Sequence, residues 1–106
     1  MRTKVKSSYK LSESQLHNLA DAFKVMGDTT KLRICILLSG GEYSVSEIAE
    51  ILELSHSATS HSLKTLRNMR LVKYRREGKN IFYSLDDKHV EDLLQIGCEH
   101  VKEKRG

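Results

Sequence analysis

SVSEIAEILELSHSATSHSLKTLRNMR, residues 44–70, decides how this chain is read. Ser44-Val45-Ser46-Glu47 has the pattern of a capping box: the serine accepts from the backbone three residues on, and the glutamate reaches back. Tyr43 and Ile48 are placed to staple that helix start. Val45, Ile48, Ala49 and Leu52 recur at spacings of three and four, predicting a helix over 45–52 with one apolar stripe. Glu53-Leu54 leaves room only for a very short turn before Ser55, a second N-cap. In the next segment Ala58, Leu63, Leu66 and Met69 are the apolar positions, and the leading turns are crowded with small polar side chains. Two helices joined so tightly, the second opening on His56, Ser57, Thr59, Ser60 and His61, have the helix-turn-helix pattern. Short hydrogen-bonding side chains let such a helix enter a major groove. Capping alone also enriches helix starts in Ser and Thr, so the two-helix unit carries more weight than the local polarity.

Working outward, Leu71–Arg76 reads as a strand, Glu77-Gly78-Lys79 as a turn, and Asn80–Leu85 as the return strand, rich in aromatic and β-branched residues. A hairpin directly after a reading helix is a wing. Arg75, Arg76 and Lys79 group near its tip, within reach of phosphates or a minor groove. A solvated hairpin tip also favours Lys and Arg. The expected DNA-facing set is Ser55, His56, Ser57, Thr59, Ser60, His61, Lys64, Arg75, Arg76 and Lys79.

Upstream, Ser12 and Gln15 form another capping box, and Leu16, Leu19, Ala20, Phe23 and Met26 stripe a helix that stops near Gly27. Asp28-Thr29-Thr30 opens a second helix whose Leu32 and Ile34–Leu38 run is nearly all apolar, so burial on most sides is expected. Gly40-Gly41 ends it. Residues 1–10, with Arg2, Lys4, Lys6 and Lys10, read as a flexible basic arm, leaving 11–106 as the folded domain.

Downstream, Asp86–Glu103 reads as one long helix, with Asp86 as N-cap and Leu85 and Val90 as its staple. Val90, Leu93, Leu94, Gly97, Cys98 and Val101 form its apolar stripe. The same helix carries Asp87, His89, His100 and Glu103, all possible metal ligands. His89 and His100 are 11 residues apart; at about 100° per residue they share a face, but at ~1.5 Å per residue they lie ~16 Å apart along the axis. A zinc ion holds its ligands at roughly 2.0–2.2 Å. One straight helix therefore cannot bring both imidazoles to one ion, whereas two copies packed antiparallel can. The Asp87/His89 end of one then meets the His100/Glu103 end of the other, giving four N and O ligands, twice per two-fold dimer. Each residue alone has a plainer reading: Asp87 suits a helix start, Glu103 sits in a charged tail, and a helical histidine is ordinarily a surface residue. His17 is read as such a surface residue. His56 and His61 do not share a face and are not read as ligands.

The chain has 106 residues, 39% hydrophobic and 30% charged, which suits one small soluble globular domain helped by dimerisation. It has no proline to break its helices. A net charge of +4 is compatible with nucleic acid. No apolar run has the length of a bilayer span, and the amino terminus lacks the apolar core of a signal peptide. Cys35 and Cys98, without a C-x-x-C pattern, do not make a disulfide framework, which favours the cytoplasm. No Gly-rich phosphate loop or catalytic triad is present, and a closed four-ligand set leaves no coordination position for catalysis, so an enzyme is not expected.

FKVMGDTTKLRICILL, the segment from Ser44 through Leu85, and the D-x-H-x10-H-x2-E pattern together resemble the ArsR/SmtB family of metal-responsive winged-helix repressors. The resemblance runs from about Leu16 to Glu103. It implies a mainly helical winged helix-turn-helix, ordered α-α-α-α-β-β-α and dimerised through its first and last helices. It also implies double-stranded operator DNA as partner and Zn(II), or Co(II), as allosteric effector. Asp87 and His89 would bind the metal with His100 and Glu103 of the other subunit, and metal would release the operator. Thiol-type members carry Cys-x-Cys where this chain has Ser44-Val45-Ser46, and hydroxyls are poor ligands for soft metals, so an arsenic, cadmium or lead thiolate site is rejected. A thiol switch between Cys35 and Cys98 is the alternative.

Overall fold

A computed structural model describes residues 10–103. The basic arm expected over 1–10 lies outside them apart from Lys10. The elements are α1 (Glu13–Met26), α2 (Thr29–Leu38), β1 (Tyr43–Ser44), α3 (Val45–Leu52), α4 (His56–Asn68), β2 (Val72–Glu77), β3 (Asn80–Leu85) and α5 (Lys88–Lys102).

The capping residues act as their sequence suggests. Ser12 and Ser44 each close a full capping box, Gln15 and Glu47 returning a side-chain oxygen to the cap N–H at 2.9 and 2.8 Å. Asp28 and Ser55 cap α2 and α4. Glu53 ends α3 in the left-handed conformation, φ 56°, and Leu54 N–H returns to the Ala49 carbonyl at 2.8 Å. That reversal is what allows three residues, Glu53 to Ser55, to join α3 to α4.

Two expectations are corrected. The wing has a third strand: Tyr43 and Ser44 pair antiparallel with Tyr83 and Phe82, giving the order β1-β3-β2 and the sequence α-α-β-α-α-β-β-α. Two residues are too few to show alternation, so this strand left no periodic signal. The cap of α5 is Asp87 instead of Asp86; its side chain accepts from Val90 N–H.

The core gathers Ile34, Cys35 and Leu38 of α2, Ile48 of α3, Leu63 and Leu66 of α4, Val72 and Leu85 of the wing, and Val90 and Leu94 of α5. Ile34, Ile48, Leu63 and Leu66 are completely buried. Burying an aliphatic side chain is worth about 1.5–3 kcal/mol, so these residues anchor α4 and fix its angle. The outer helices are different. In α1 only Met26 is buried, while Leu16, Leu19 and Phe23 are exposed. Ile36 is the exposed member of the apolar run of α2, whose Ile34, Cys35 and Leu38 are buried. Leu93, Ile96 and Val101 stand out from α5 at 39, 64 and 79% exposure.

Candidate nucleic-acid interface and metal ligands

Helix α4 has two faces. Thr59, Ser62, Leu63 and Leu66 follow one another at spacings of three, one and three and turn inward. Thr59 is fully buried, and its hydroxyl donates to the Ser55 carbonyl at 2.8 Å. The expectation that Thr59 meets DNA is therefore corrected: the inward stripe is rotated by one position, with Thr59 in it and Ala58 exposed. His56, Ser57, Ser60, His61 and Lys64 are exposed. Ser55 spends its Oγ on the cap, accepting from Ala58 N–H at 3.0 Å.

The wing leans on this helix. Tyr43, Tyr83 and Tyr74 lie directly across neighbouring strands, the last two with ring centroids 5.8 Å apart. The Arg67 guanidinium, from the last turn of α4, sits 5.0 Å over Tyr74. Strand alternation then puts Val72, Tyr74 and Arg76 on the α4 side and Lys73, Arg75 and Glu77 on the other. The expected tip cluster of Arg75, Arg76 and Lys79 is divided as a result. Arg76 and Lys79 are exposed. Arg75 donates from Nε to both oxygens of Glu42 at 3.0 Å, and Nη1 donates to Glu77 at 2.8 Å. Its guanidinium also lies 5.0 Å over Phe82. Hydrogen bonds from Arg75 hold the Glu42 carboxyl below its ordinary range. Arg67 and Glu42 escaped the sequence reading. Arg67 lay seven residues before an aromatic, a spacing with no meaning across a helix-to-strand break, and the partner of Glu42 is 33 residues away.

Helix α5 holds the expected metal ligands in two pairs. At its start, Asp87 Oδ1 accepts from Val90 N–H at 3.2 Å, and Oδ2 lies 3.4 Å from His89 Nδ1. The Val90 N–H bond, then the His89 contact, hold the Asp87 carboxyl below its ordinary range, so it is ionised near neutral pH. The His89 side chain is 95% exposed. At the other end His100 and Glu103 are both exposed, and Glu103 N–H donates to the His100 carbonyl at 3.2 Å. Among the described residues no group of three or more His, Cys, Asp or Glu gathers within one chain. Within one subunit the expected ligands stand as two separate pairs at opposite ends of α5. Neutral imidazoles and ionised carboxylates are donors that suit zinc or cobalt. His17 is exposed on α1.

His89, Leu93, Ile96 and His100 all fall within about 60° of one another around α5, at about 100° per residue. Beside this stripe runs an apolar groove of about 390 Å³, lined from α1, α2 and α5 by Phe23, Met26, Leu32, Ile36, Leu94 and Cys98 among others. Cys98 is half-buried there, while Cys35 is fully buried and desolvation pushes its thiol up to about 11.

The family model described as "Bacterial regulatory protein, arsR family" matches residues 28–74, the segment from the α2 cap into β2. A relative from Synechocystis, described as a transcriptional repressor SmtB homolog, is 40% identical over 93 residues, 88% of this chain and 70% of its own. The chain belongs to the ArsR family. A second relative, a cadmium resistance regulatory protein CadC homolog from Staphylococcus aureus, is 39% identical over 88% of this chain and 78% of its own. Among solved structures, a homodimeric winged helix-turn-helix DNA-binding domain from Mycobacterium bovis superposes with a TM-score of 0.79 at 26% identity, covering 91% of this chain and 95% of that one. As an ArsR-family protein the chain is a DNA-binding transcriptional repressor, not an enzyme, and works as a homodimer. Among the described residues no helix is long and apolar enough to cross a membrane.

Proposed function

We propose that this ArsR-family homodimer binds operator DNA in the cytoplasm and is released by Zn(II), or Co(II), held between the α5 helices of its two subunits. Asp87 and His89 of one subunit would share each ion with His100 and Glu103 of the other. The observation that carries this reading is the single α5 stripe on which exposed Leu93 and Ile96 lie between the two half-sets. An exposed apolar stripe seeks a partner. Antiparallel pairing along it brings opposite ends of two helices together, and the ligands sit at those ends. Bound metal supplies a positive centre that fixes the two α5 helices relative to each other. The exposed apolar residues of α1 extend the same subunit interface.

On the DNA side, His56, Ser57, Ser60, His61 and Lys64 would face bases or adjacent phosphates, with Ser55 at the backbone and Arg76 and Lys79 gripping the flank. The two reading helices of a dimer then address successive major grooves of a palindrome. Because α5 packs Val90 and Leu94 into the core that seats α4, a shift of α5 reaches the reading head. Metal and DNA favouring different dimer geometries give a coupling of about 1–3 kcal/mol, or roughly 5–150-fold in operator affinity.

A thiol switch is disfavoured by Cys35, whose buried, neutral thiol is a poor nucleophile. The test is operator release, followed by fluorescence anisotropy, on adding zinc to wild type, His89→Ala, His100→Ala and the double variant Cys35→Ser/Cys98→Ser. Release should persist in the cysteine variant and disappear in both histidine variants. Zinc release that survives both histidine changes overturns the reading.

A further inference from the structure

Arg75 was expected among the phosphate contacts, and its surroundings assign it elsewhere. The side chain leaves β2 on the face opposite Arg76, away from the α4 side marked by the Arg67–Tyr74 contact. Its Nε and Nη2 both engage Glu42, the latter at 2.9 Å, its Nη1 engages Glu77, and its plane covers Phe82. Glu42 belongs to the loop that leads from α2 into β1 and α3, so this contact ties the wing to the entrance of the helix-turn-helix. Among the described residues, the backbone tie at that place is the two-residue ladder of Tyr43 and Ser44 with β3. A ladder so short resists twisting poorly, and a bidentate guanidinium–carboxylate pair supplies fixed geometry beside it.

We propose that Arg75 is a positioning residue: with Glu42 it forms a strut that sets the angle of the wing and so aims Arg76 and Lys79 at the DNA flank, without touching phosphate itself. The arrangement also keeps two carboxylates close to the DNA-binding end covered by a cation. Losing either partner lets the wing swing, and losing Arg75 also uncovers carboxylate charge that opposes the approach of DNA.

The inference rests on the wing reading above, and one experiment separates their failures. Operator affinity is measured by anisotropy over a series of salt concentrations for wild type, Arg75→Gln, Glu42→Gln, the double variant and Arg76→Gln, with thermal unfolding as the folding control. A lost phosphate contact lowers the slope of log affinity against log salt by about 0.9. Arg76→Gln should show that loss. Arg75→Gln should weaken binding about two- to fivefold, the weight of an exposed ion pair, with the slope unchanged. Glu42→Gln should weaken binding to a similar extent. The double variant should be no worse than either single one, because both break the same strut.

The sign for Glu42→Gln is the decisive outcome. Removing an acidic charge near DNA raises affinity on simple electrostatic grounds, and it would raise it further by freeing Arg75 for phosphate. Tighter binding by Glu42→Gln, or a slope reduced by Arg75→Gln, overturns the strut. An unchanged slope for Arg76→Gln overturns the wing contact on which it rests.

Discussion

Thr59 offers a sharp separation between packing and DNA reading, through two substitutions. It is completely buried, and the Ser55 carbonyl that takes its hydroxyl also takes its own backbone N–H at 3.0 Å. Thr59→Val therefore leaves that carbonyl satisfied and exchanges a hydroxyl for a methyl of similar size. The lost hydrogen bond costs about 0.5–1.5 kcal/mol, and the added buried methyl returns about 0.8 kcal/mol, so stability should change by less than about 1 kcal/mol. Thr59→Ala also removes a methyl from the packed stripe and should cost about 1–2 kcal/mol by the transfer and cavity contributions together. Urea unfolding at fixed protein concentration measures both. Anisotropy with an operator selected in vitro should then find Thr59→Val binding within about twofold of wild type. A base contact is worth about 1–3 kcal/mol. A loss of tenfold or more for Thr59→Val, with stability intact, would show that Thr59 reads DNA and that the orientation of α4 given above is wrong.

Other outcomes follow from the same geometry. A Cβ at Gly97 meets nothing within its own chain, and helix propensity favours replacing a mid-helix glycine by about 1 kcal/mol; yet Gly97→Leu fills the groove beside the subunit stripe and should dissociate the dimer in sedimentation velocity, an unchanged or tighter dimer counting against that interface. Burial raises the Cys35 thiol from an ordinary 9.0 to about 11, so stability it contributes is fully present below pH 9 and is lost as pH climbs through about 11. Each unit corresponds to about 1.4 kcal/mol, and Cys35→Ala should flatten the alkaline limb of the urea midpoint. In the acid direction, protons compete with metal for its nitrogen and oxygen ligands, so zinc affinity should fall with pH in chelator competition. The Asp87 carboxyl is held low, so the cap it gives α5 is present above the ordinary carboxylate range and lost only as pH falls through its lowered value. The helicity of α5 should therefore survive acidification through the ordinary carboxylate range, followed by circular dichroism; loss at the upper edge of that range would contradict this.

Local signals made most of the fold legible in the sequence. Capping boxes at Ser12 and Ser44, the N-caps Asp28 and Ser55, and the apolar stripe of α3 all act within one or two turns. Thr59 was misplaced because a buried threonine that bonds its own helix looks, as a letter, like a polar contact; only the three-and-four spacing with Ser62, Leu63 and Leu66 reveals the inward stripe. Asp86 and Asp87 are adjacent potential caps, and the choice depends on how the chain leaves β3. Adjacent arginines on a strand necessarily face opposite ways, which separates Arg75 from Arg76, but the acid that claims Arg75 comes from a distant loop. The ligand pattern of α5 was readable as spacing, since a helix converts sequence separation into angle and rise. What lies across a subunit boundary leaves no such periodic trace.

Mixing two damaged proteins tests whether the ion joins subunits. His89→Ala and His100→Ala homodimers should each bind zinc weakly, because every intersubunit site in them lacks an imidazole. In the heterodimer formed by unfolding and refolding them together, one site lacks both imidazoles and the other is complete. Isolated by two affinity tags and titrated with zinc against a chelator, that heterodimer should recover one ion of wild-type affinity. Recovery of none, with the heterodimer intact, would place the metal within a single subunit or elsewhere and contradict the account.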